Sequence, residues 1–487
     1  MERFEKSGLA FYKWFDERAG VGGVVKVLLF HPVPKSINWF YVFGSTILTA
    51  FIFQIITGIF LAFAYVPTPE RAYQSLDFIT NHAYFGNILR GLHYWGASAM
   101  VFLVFIHMSA HFLTGSYKFP RELHWLTGVV LLILTIGMAF TGQLLRWNQD
   151  AYWAIVVGAQ QAARTPVIGN WLGQLILGGP YIGGHTLTQI YAVHIWLIPG
   201  ALITFITIHL YLVIYKGVSE WPVPGKPVDP KTYWAEYQEI LHTDGEPYFP
   251  RGVFLDAVMV GIMILLITGL AIFVGAESLG LKANPITPAD PKPDWYLIWY
   301  FGILALIGIQ PSGAAITPYF IILFPLIGFL ILFLIPLANK GERHFSRRPW
   351  AVVTVFLAGL ATFLLMFLGY AEPWKPILTS NSTKAPVLPV AVYAKLPATA
   401  QMGAHLMSRE ACLACHQING VGGQRGPGLD TVASQLTYGE LIWRIAHGGG
   451  GMPPFGNTLT PKQVTELVAF LETRTNTPQQ ASGSGSP

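Results

Sequence analysis

His93-Tyr-Trp-Gly-Ala-Ser-Ala-Met-Val-Phe-Leu-Val-Phe-Ile-His107 and His194-Ile-Trp-Leu-Ile-Pro-Gly-Ala-Leu-Ile-Thr-Phe-Ile-Thr-Ile-His209 are the two stretches on which the fold turns. Each is almost wholly apolar, and each opens and closes on a histidine. A histidine inside a lipid-spanning helix is costly, so it points to a function and to a partner. The intervals of 14 and 15 residues are both close to four helical turns. Each pair therefore lies on roughly one face, about 21–22 Å apart along the axis. Two helices marked in this way can face each other and clamp two flat iron macrocycles, one above the other across the bilayer. Each iron would take one histidine from each helix, and histidine is a standard axial haem ligand. Four unrelated polar contacts in a helix bundle are the plainer reading, and two pairs of nearly equal spacing argue against it.

The surrounding chain fits a membrane setting. Of its 487 residues 53% are hydrophobic and 11% charged, and the mean hydropathy is +0.47. Seven apolar stretches are long enough to cross about 30 Å of hydrocarbon: residues 38–65, 88–114, 124–145, 186–215, 253–275, 317–338 and 350–370. The first 36 residues carry charges throughout, so they do not read as a cleavable signal peptide. Phe4, Phe11, Tyr12 and Phe15 share one helical side there, as in an amphipathic segment lying on a membrane. The N-terminal segment and the loops after spans two, four and six hold 16 Lys/Arg, against six on the other side when Arg90 at the mouth of span two is included. The positive-inside rule then puts the N-terminus in the cytoplasm and the C-terminal segment outside. The net charge of +5 follows from this bias and is no sign of nucleic-acid binding.

Three blocks emerge: residues 1–220 with both histidine pairs, residues 221–371 with three spans, and residues 401–474 of soluble composition. A Pro/Ala/Thr-rich stretch, 372–400, reads as an extended linker, and 475–487 as a disordered tail. The fold class expected is all-α: a four-helix di-haem bundle, three further membrane helices, and a small all-α C-terminal domain.

Glycines mirror the histidines. Gly44 and Gly58 are 14 apart in span one, as are Gly128 and Gly142 in span three. A macrocycle edge needs close approach to flanking backbone, which a Cβ would block; ordinary small-residue packing is the alternative. His111 also shares the face of His93, but its 18-residue interval does not match span four. It suits a propionate or quinone-site neighbour, or an interfacial position. Arg90 and Arg121, at the two ends of span two, suit haem propionates or interfacial anchoring equally.

Cys412-Leu-Ala-Cys415-His416 holds the two cysteines of the chain. Two thiols add to haem vinyl groups, and the adjacent histidine becomes the proximal iron ligand. Met452, in Gly451-Met-Pro-Pro454, is the candidate sixth ligand, with Met402 and Met407 as competitors upstream. Pro293-Asp294-Trp295-Tyr296, between spans five and six, sets a carboxylate and a phenol beside aromatic surface. Such a pair could bind a quinol headgroup and take its proton; Asp294 after a proline is also ordinary turn chemistry.

These residues resemble a family. Arg90-Gly-Leu-His93, Gly96-Ala-Ser98, His107, Gly115-Ser-Tyr-Lys-Phe-Pro-Arg121-Glu-Leu, the glycine pairs, His194, His209 and the Pro-Asp-Trp-Tyr block look like cytochrome b of the quinol–cytochrome c reductases. The 15-residue interval and the missing eighth span resemble the b6f-type branch, with cytochrome b6 and subunit IV fused and a mono-haem class I cytochrome c added. The resemblance implies that His93 and His194 hold an outer, low-potential haem b, and His107 and His209 an inner, high-potential one. It implies that Asp294 and Tyr296 line an outer quinol site. It further implies electron bifurcation to a Rieske iron–sulfur protein and to the outer haem, coupled proton translocation, a homodimeric complex in a bacterial cell membrane, and a downstream cytochrome or oxidase. The chain has no spare cysteines for a Rieske cluster, so that cluster belongs to a partner.

Three departures stand out. The family usually has Glu at Asp294, and Leu-Pro-Trp where Leu145-Arg146-Trp147 stands. The cysteine that carries a third, covalent haem in the chloroplast-type branch is matched by Val42. Lys216, Arg251 and Asp256 are candidates for an inner quinone site by position alone. Rival functions are a di-haem quinone-linked anchor without bifurcation and a membrane-tethered electron carrier.

Overall fold

The computed structural model describes residues 2–163, 165–179, 182–283, 292–308, 317–338, 340–371, 386–423, 426–447, 452, 455 and 459–475. Six helices among them are long and apolar enough to cross a membrane: α1 (Phe43–Ala62), α2 (Gly86–Leu113), α3 (Glu122–Leu144), α4 (Gly184–Lys216), α5 (Arg251–Phe273) and α8 (Pro349–Ala371). Between α5 and α8 come the short helix α6 (Trp295–Gly308) and α7 (Thr317–Leu334). The sequence predicts seven spans, and the sixth of them, 317–338, falls on α7. Pro325 sits inside that helix, which continues through it to Leu334 and then into the 3₁₀ turn Ile335–Leu337, where Pro336 lies. The chain is therefore a mostly helical, multi-pass membrane protein.

α1 packs on α2, α3 on α4, α5 against α2, and α6 against α8. The two pairs α1–α2 and α3–α4 enclose a middle layer of Ala50, Phe51, Met100 and Leu202 with Leu131, Leu134, Ile198 and Ile206. This layer is interior in sequence to both histidine pairs, so it separates an upper from a lower polar layer. Outside the contacts the spans show Ile59, Phe60, Phe102, Leu265, Leu266, Phe356 and Phe363 at half exposure or more. That pattern is stable only against hydrocarbon.

Local chemistry sets the helix ends. α2 starts after Phe85 in a left-handed conformation, and stops where the Thr114 hydroxyl donates to Ala110 O and Gly115 turns at φ +62°. Helices Glu2–Ala19 and Val21–Phe30 form the expected N-terminal segment, in which Phe11 stacks on Trp14 and Phe15. A short antiparallel ribbon, Pro32–Pro34 with Gly245–Pro247, ties that segment to the loop before α5.

The C-terminal domain is built from α9 (Ala398–Arg409), α10 (Tyr438–His447) and α11 (Pro461–Leu471) around Leu406, Met407, Leu413, Val468 and Phe470. Leu388 and Tyr393 are buried in the same core. The predicted linker, 372–400, thus ends earlier than composition suggests: apolar side chains in a weakly charged stretch dock onto α9. Its first part, 372–385, and the predicted tail from 476 onward lie outside the described residues.

Candidate functional site

His93 and His107 project from α2, His194 and His209 from α4. His93 is an electrostatic neighbour of His194, and His107 of His209, so the structure pairs them across the two helices. Each of the four glycines faces one of the four imidazoles. A Cβ on Gly58 would lie 3.2 Å from Cε1 of His93, and one on Gly44 3.3 Å from Cε1 of His107. The same atom on Gly142 would lie 2.9 Å from Cε1 of His194, and on Gly128 3.7 Å from that of His209. The sequence assigns these glycines to macrocycle clearance or helix packing; in the structure the group that meets the missing Cβ is the imidazole itself.

The residue before three of these glycines is threonine, a signal the sequence reading missed. Thr57 Oγ1 is 2.9 Å from His93 Nδ1, Thr127 Oγ1 2.8 Å from His209 Nδ1, and Thr141 Oγ1 3.0 Å from His194 Nδ1. Each hydroxyl donates its own proton one turn back, to Phe53 O, Leu123 O and Gly137 O at 2.8–2.9 Å. Its oxygen must therefore accept from Nδ1–H, which leaves the lone pair on Nε2, the form that binds iron. Among the described residues no group of three or more His, Cys, Asp or Glu could hold a bare metal ion. Two imidazoles per layer suit an iron whose other ligands come from a macrocycle, so the residues fit haem.

The 15-residue interval on α4 has a local cause. Val193–Leu197 is a π-helical turn inserted in that helix, and it contains His194. Each residue of an α-helix turns the chain by about 100°. A π turn absorbs one extra residue, so the longer interval still returns His209 to the face of His194.

At the end of the bundle beside His194 lies a second polar layer. Arg146 Nη2 donates to Asp294 Oδ1 at 2.7 Å, and Nη1 to the Glu277 carboxylate. Gln143 Oε1 accepts from Asp294 N at 3.0 Å. Tyr296 Oη donates to Ala139 O at 2.8 Å and sits 3.1 Å from Asp294 Oδ2. Trp295 Nε1 donates to Ser98 Oγ at 3.2 Å, which joins the two family motifs. The side chains of Arg146 and Asp294 are each 10% exposed and that of Glu277 45%. Burial works against the Arg146 charge, but Asp294 and then Glu277 outweigh it and push its pKa up. Burial raises the Glu277 carboxyl, against the pull of Arg146. Here a carboxylate and a phenol share one enclosed corner, with a second carboxylate leading to solvent. Gln143 and Glu277 were not legible in the sequence, because a lone amide and a lone acid at span ends carry no pattern.

Arg90 donates to Glu277 O at 2.6 Å and to Thr80 Oγ1, bracing the same corner. Arg121, at the opposite end, donates to Gly217 O, Lys216 O and Tyr233 Oη, and Tyr237 covers its guanidinium. Both arginines thus have protein partners. His111 packs its ring 4.5 Å from that of His107. Lys216, Arg251 and Asp256 have separate partners: Tyr215 and Trp234, Glu246, and Tyr248.

In the C-terminal domain Cys412 begins a 3₁₀ turn after α9, and neither cysteine is joined in a disulfide. Burial pushes the Cys412 thiol up to about 12, which disfavours a metal-binding thiolate. His416 Nδ1 is 2.8 Å from Pro427 O and donates to it, which leaves the lone pair on Nε2. Met452 packs partly buried against the core, whereas Met407 is part of that core at 2% exposure and Met402 is 50% exposed.

Comparison with known proteins places each part. Residues 28–217 match the family model "Cytochrome b/b6/petB", residues 282–387 "Cytochrome b(C-terminal)/b6/petD", and residues 398–471 "Cytochrome C oxidase, cbb3-type, subunit III". Cytochrome b6 of Heliobacterium modesticaldum is 42% identical over 209 residues, covering 42% of this chain and 98% of that protein. The cytochrome bc complex cytochrome b subunit of Chlorobaculum thiosulfatiphilum is 35% identical over 366 residues, 74% of this chain and 80% of that one. A solved "Hyperthermophilic respiratory Complex III" superposes with a TM-score of 0.62 at 26% identity, over 75% of this chain and 92% of that one. With paired imidazoles in a four-helix bundle and a Cys-x-x-Cys-His motif behind it, this chain belongs to the cytochrome b/b6 family, as a haem-binding subunit of a bc-type electron-transport complex that also carries a cytochrome c domain.

Proposed function

We propose that the chain is the cytochrome b/c subunit of a Rieske–cytochrome b quinol:cytochrome c oxidoreductase. His93 with His194, and His107 with His209, hold two non-covalent b haems; Cys412, Cys415, His416 and Met452 hold one covalent c haem. When bound, these groups supply one-electron relays, two spanning the membrane and one outside it, and with a separate Rieske protein they allow the two electrons of quinol to part. The Arg146 end of the bundle faces outward and the N-terminus the cytoplasm, in line with the Lys/Arg bias. Residues 1–220, 221–371 and 401–474 act as the b6-like, subunit IV-like and cytochrome c parts. A homodimer and a downstream cytochrome or oxidase complete the assembly.

The observation that carries this reading is the Asp294–Tyr296–Gln143–Arg146 corner beside the His93/His194 layer. The chain's own work there is binding and proton handling. Tyr296 Oη and Asp294 Oδ2 offer a donor and an acceptor 3.1 Å apart to a quinol hydroxyl. Asp294 takes the proton, and Arg146 balances the charge while the site stays closed to bulk water. Glu277, half exposed, is the next acceptor toward solvent.

Purification of the complex tests this directly. A pyridine haemochrome ratio of two b to one c, a single covalent haem by intact mass, and a co-purifying Rieske protein are expected. Asp294→Asn should slow quinol oxidation with all haems in place, and Asp294→Glu should keep much of the rate. A b to c ratio of one, or an Asn variant that matches the parent at every pH, overturns the reading.

A further inference from the structure

Three Thr-Gly dipeptides serve four histidines. Thr57-Gly58, Thr127-Gly128 and Thr141-Gly142 each set a glycine under an imidazole and a hydroxyl beside its Nδ1. The fourth position reads Phe43-Gly44, and His107 Nδ1 is buried with no hydrogen-bond partner among the described residues. The cause is positional. Gly44 is the second residue of α1, so no helical turn precedes it to hold a hydroxyl's proton or to offer a carbonyl. Phe43 instead lines an apolar crevice with Phe40, Phe105 and Met259. The His93/His194 layer therefore has both ring N–H groups accepted by threonine hydroxyls, and the His107/His209 layer has one.

We propose that this unequal hydrogen bonding sets the two b haems at different potentials, with Thr57 and Thr141 lowering the His93/His194 haem and Phe43 leaving the His107/His209 haem higher. The inference rests on the ligand assignment above. An acceptor on Nδ1–H gives the imidazole partial imidazolate character and raises its basicity. A more basic axial ligand favours ferric over ferrous iron, so the midpoint falls. Two such bonds on one iron and one on the other make electron transfer from the first to the second downhill. Thr57, Thr127 and Thr141 are positioning residues in this scheme: they act on the haem only through the histidines.

Equilibrium redox potentiometry on the purified complex tests it, with b-haem absorption and low-spin ferric EPR as readouts. Thr57→Val and Thr141→Val keep the side-chain shape and remove the acceptor. Each should raise the midpoint of the His93/His194 haem and leave the other haem in place. Thr127→Val should raise only the other. Thr57→Ser, which keeps the hydroxyl, should stay at the parental value. If both haems are retained and the valine variants do not move their midpoints, the proposal is wrong. If His93→Ala or His209→Ala still binds two b haems, the ligand assignment itself is wrong.

Discussion

Arg146 and Asp294 each depart from the pattern of the family the chain resembles, and the structure puts them in one ion pair. Read along the sequence they are 148 positions apart and unrelated. In space the guanidinium bridges two carboxylates, a buried one and a half-exposed one. Removing one partner of a buried pair typically costs about 3–5 kcal/mol, because the other charge is left behind. The half exposure of Glu277 places Arg146→Leu toward the low end of that range. Burial already raises the Glu277 carboxyl, and loss of Arg146 removes what opposes it. A carboxyl with a higher pKa loses its charge sooner as pH falls. Arg146→Leu should therefore keep the haems but shift the acid side of the quinol-oxidation profile to higher pH, with Arg146→Lys falling between. A profile that stays in place would show that Arg146 does not govern charge at this corner.

At the scale of helices, the site depends on how close two backbones come. The glycine series gives a graded expectation. Gly142→Ala, whose Cβ would lie 2.9 Å from His194, should lose haem b most readily; Gly58→Ala and Gly44→Ala, at 3.2 and 3.3 Å, should follow; Gly128→Ala, at 3.7 Å, should be tolerated best. Overpacking of this kind costs about 1–3 kcal/mol. Reduced-minus-oxidised spectra of membranes report the order, and equal loss at all four would mean that general helix packing is what the glycines serve. The π turn makes a second expectation. Deleting Leu197 should convert Val193–Leu197 to α-helix and leave His194 and His209 at a 14-residue interval, with both b haems retained. In an unbroken helix the same deletion would swing His209 by about 100° and lose one. The interval itself was legible in the sequence; the turn that reconciles it was not, because a π turn depends on packing against α3.

Over the whole molecule, the cytochrome c domain has its own buried core from Leu388 to Leu471. It can thus be altered without disturbing the membrane part. Met452→Leu should leave the c haem covalently attached and the b spectra unchanged, while lowering the c midpoint and removing the methionine–iron band at long wavelength. An unchanged c spectrum would exclude Met452 as the ligand. The membrane part was read correctly as helical and multi-pass, and its sixth predicted span falls on the continuous helix Thr317–Leu334, which accommodates Pro325. Leu388 and Tyr393, inside the stretch 372–400 read as a linker, pack in the core of the C-terminal domain; composition registers few charges there, not a docking partner.

What the sequence determined by itself is whatever repeats within one helix. His93 with His107, Gly44 with Gly58 and Gly128 with Gly142 share faces because helical geometry is local, and Cys412-Leu-Ala-Cys415-His416 is a contiguous motif whose chemistry needs no fold to be read. What only the tertiary structure decided is which of these faces meet and what lies beside them. Gly142 finds His194, Thr141 finds its Nδ1, Arg146 finds Asp294 and Glu277, and His107 Nδ1 finds no acceptor among the described residues. Those partners lie tens to more than a hundred residues apart. Side-chain contacts at such separations are set by how helices pack, and no periodicity within a single chain segment encodes them.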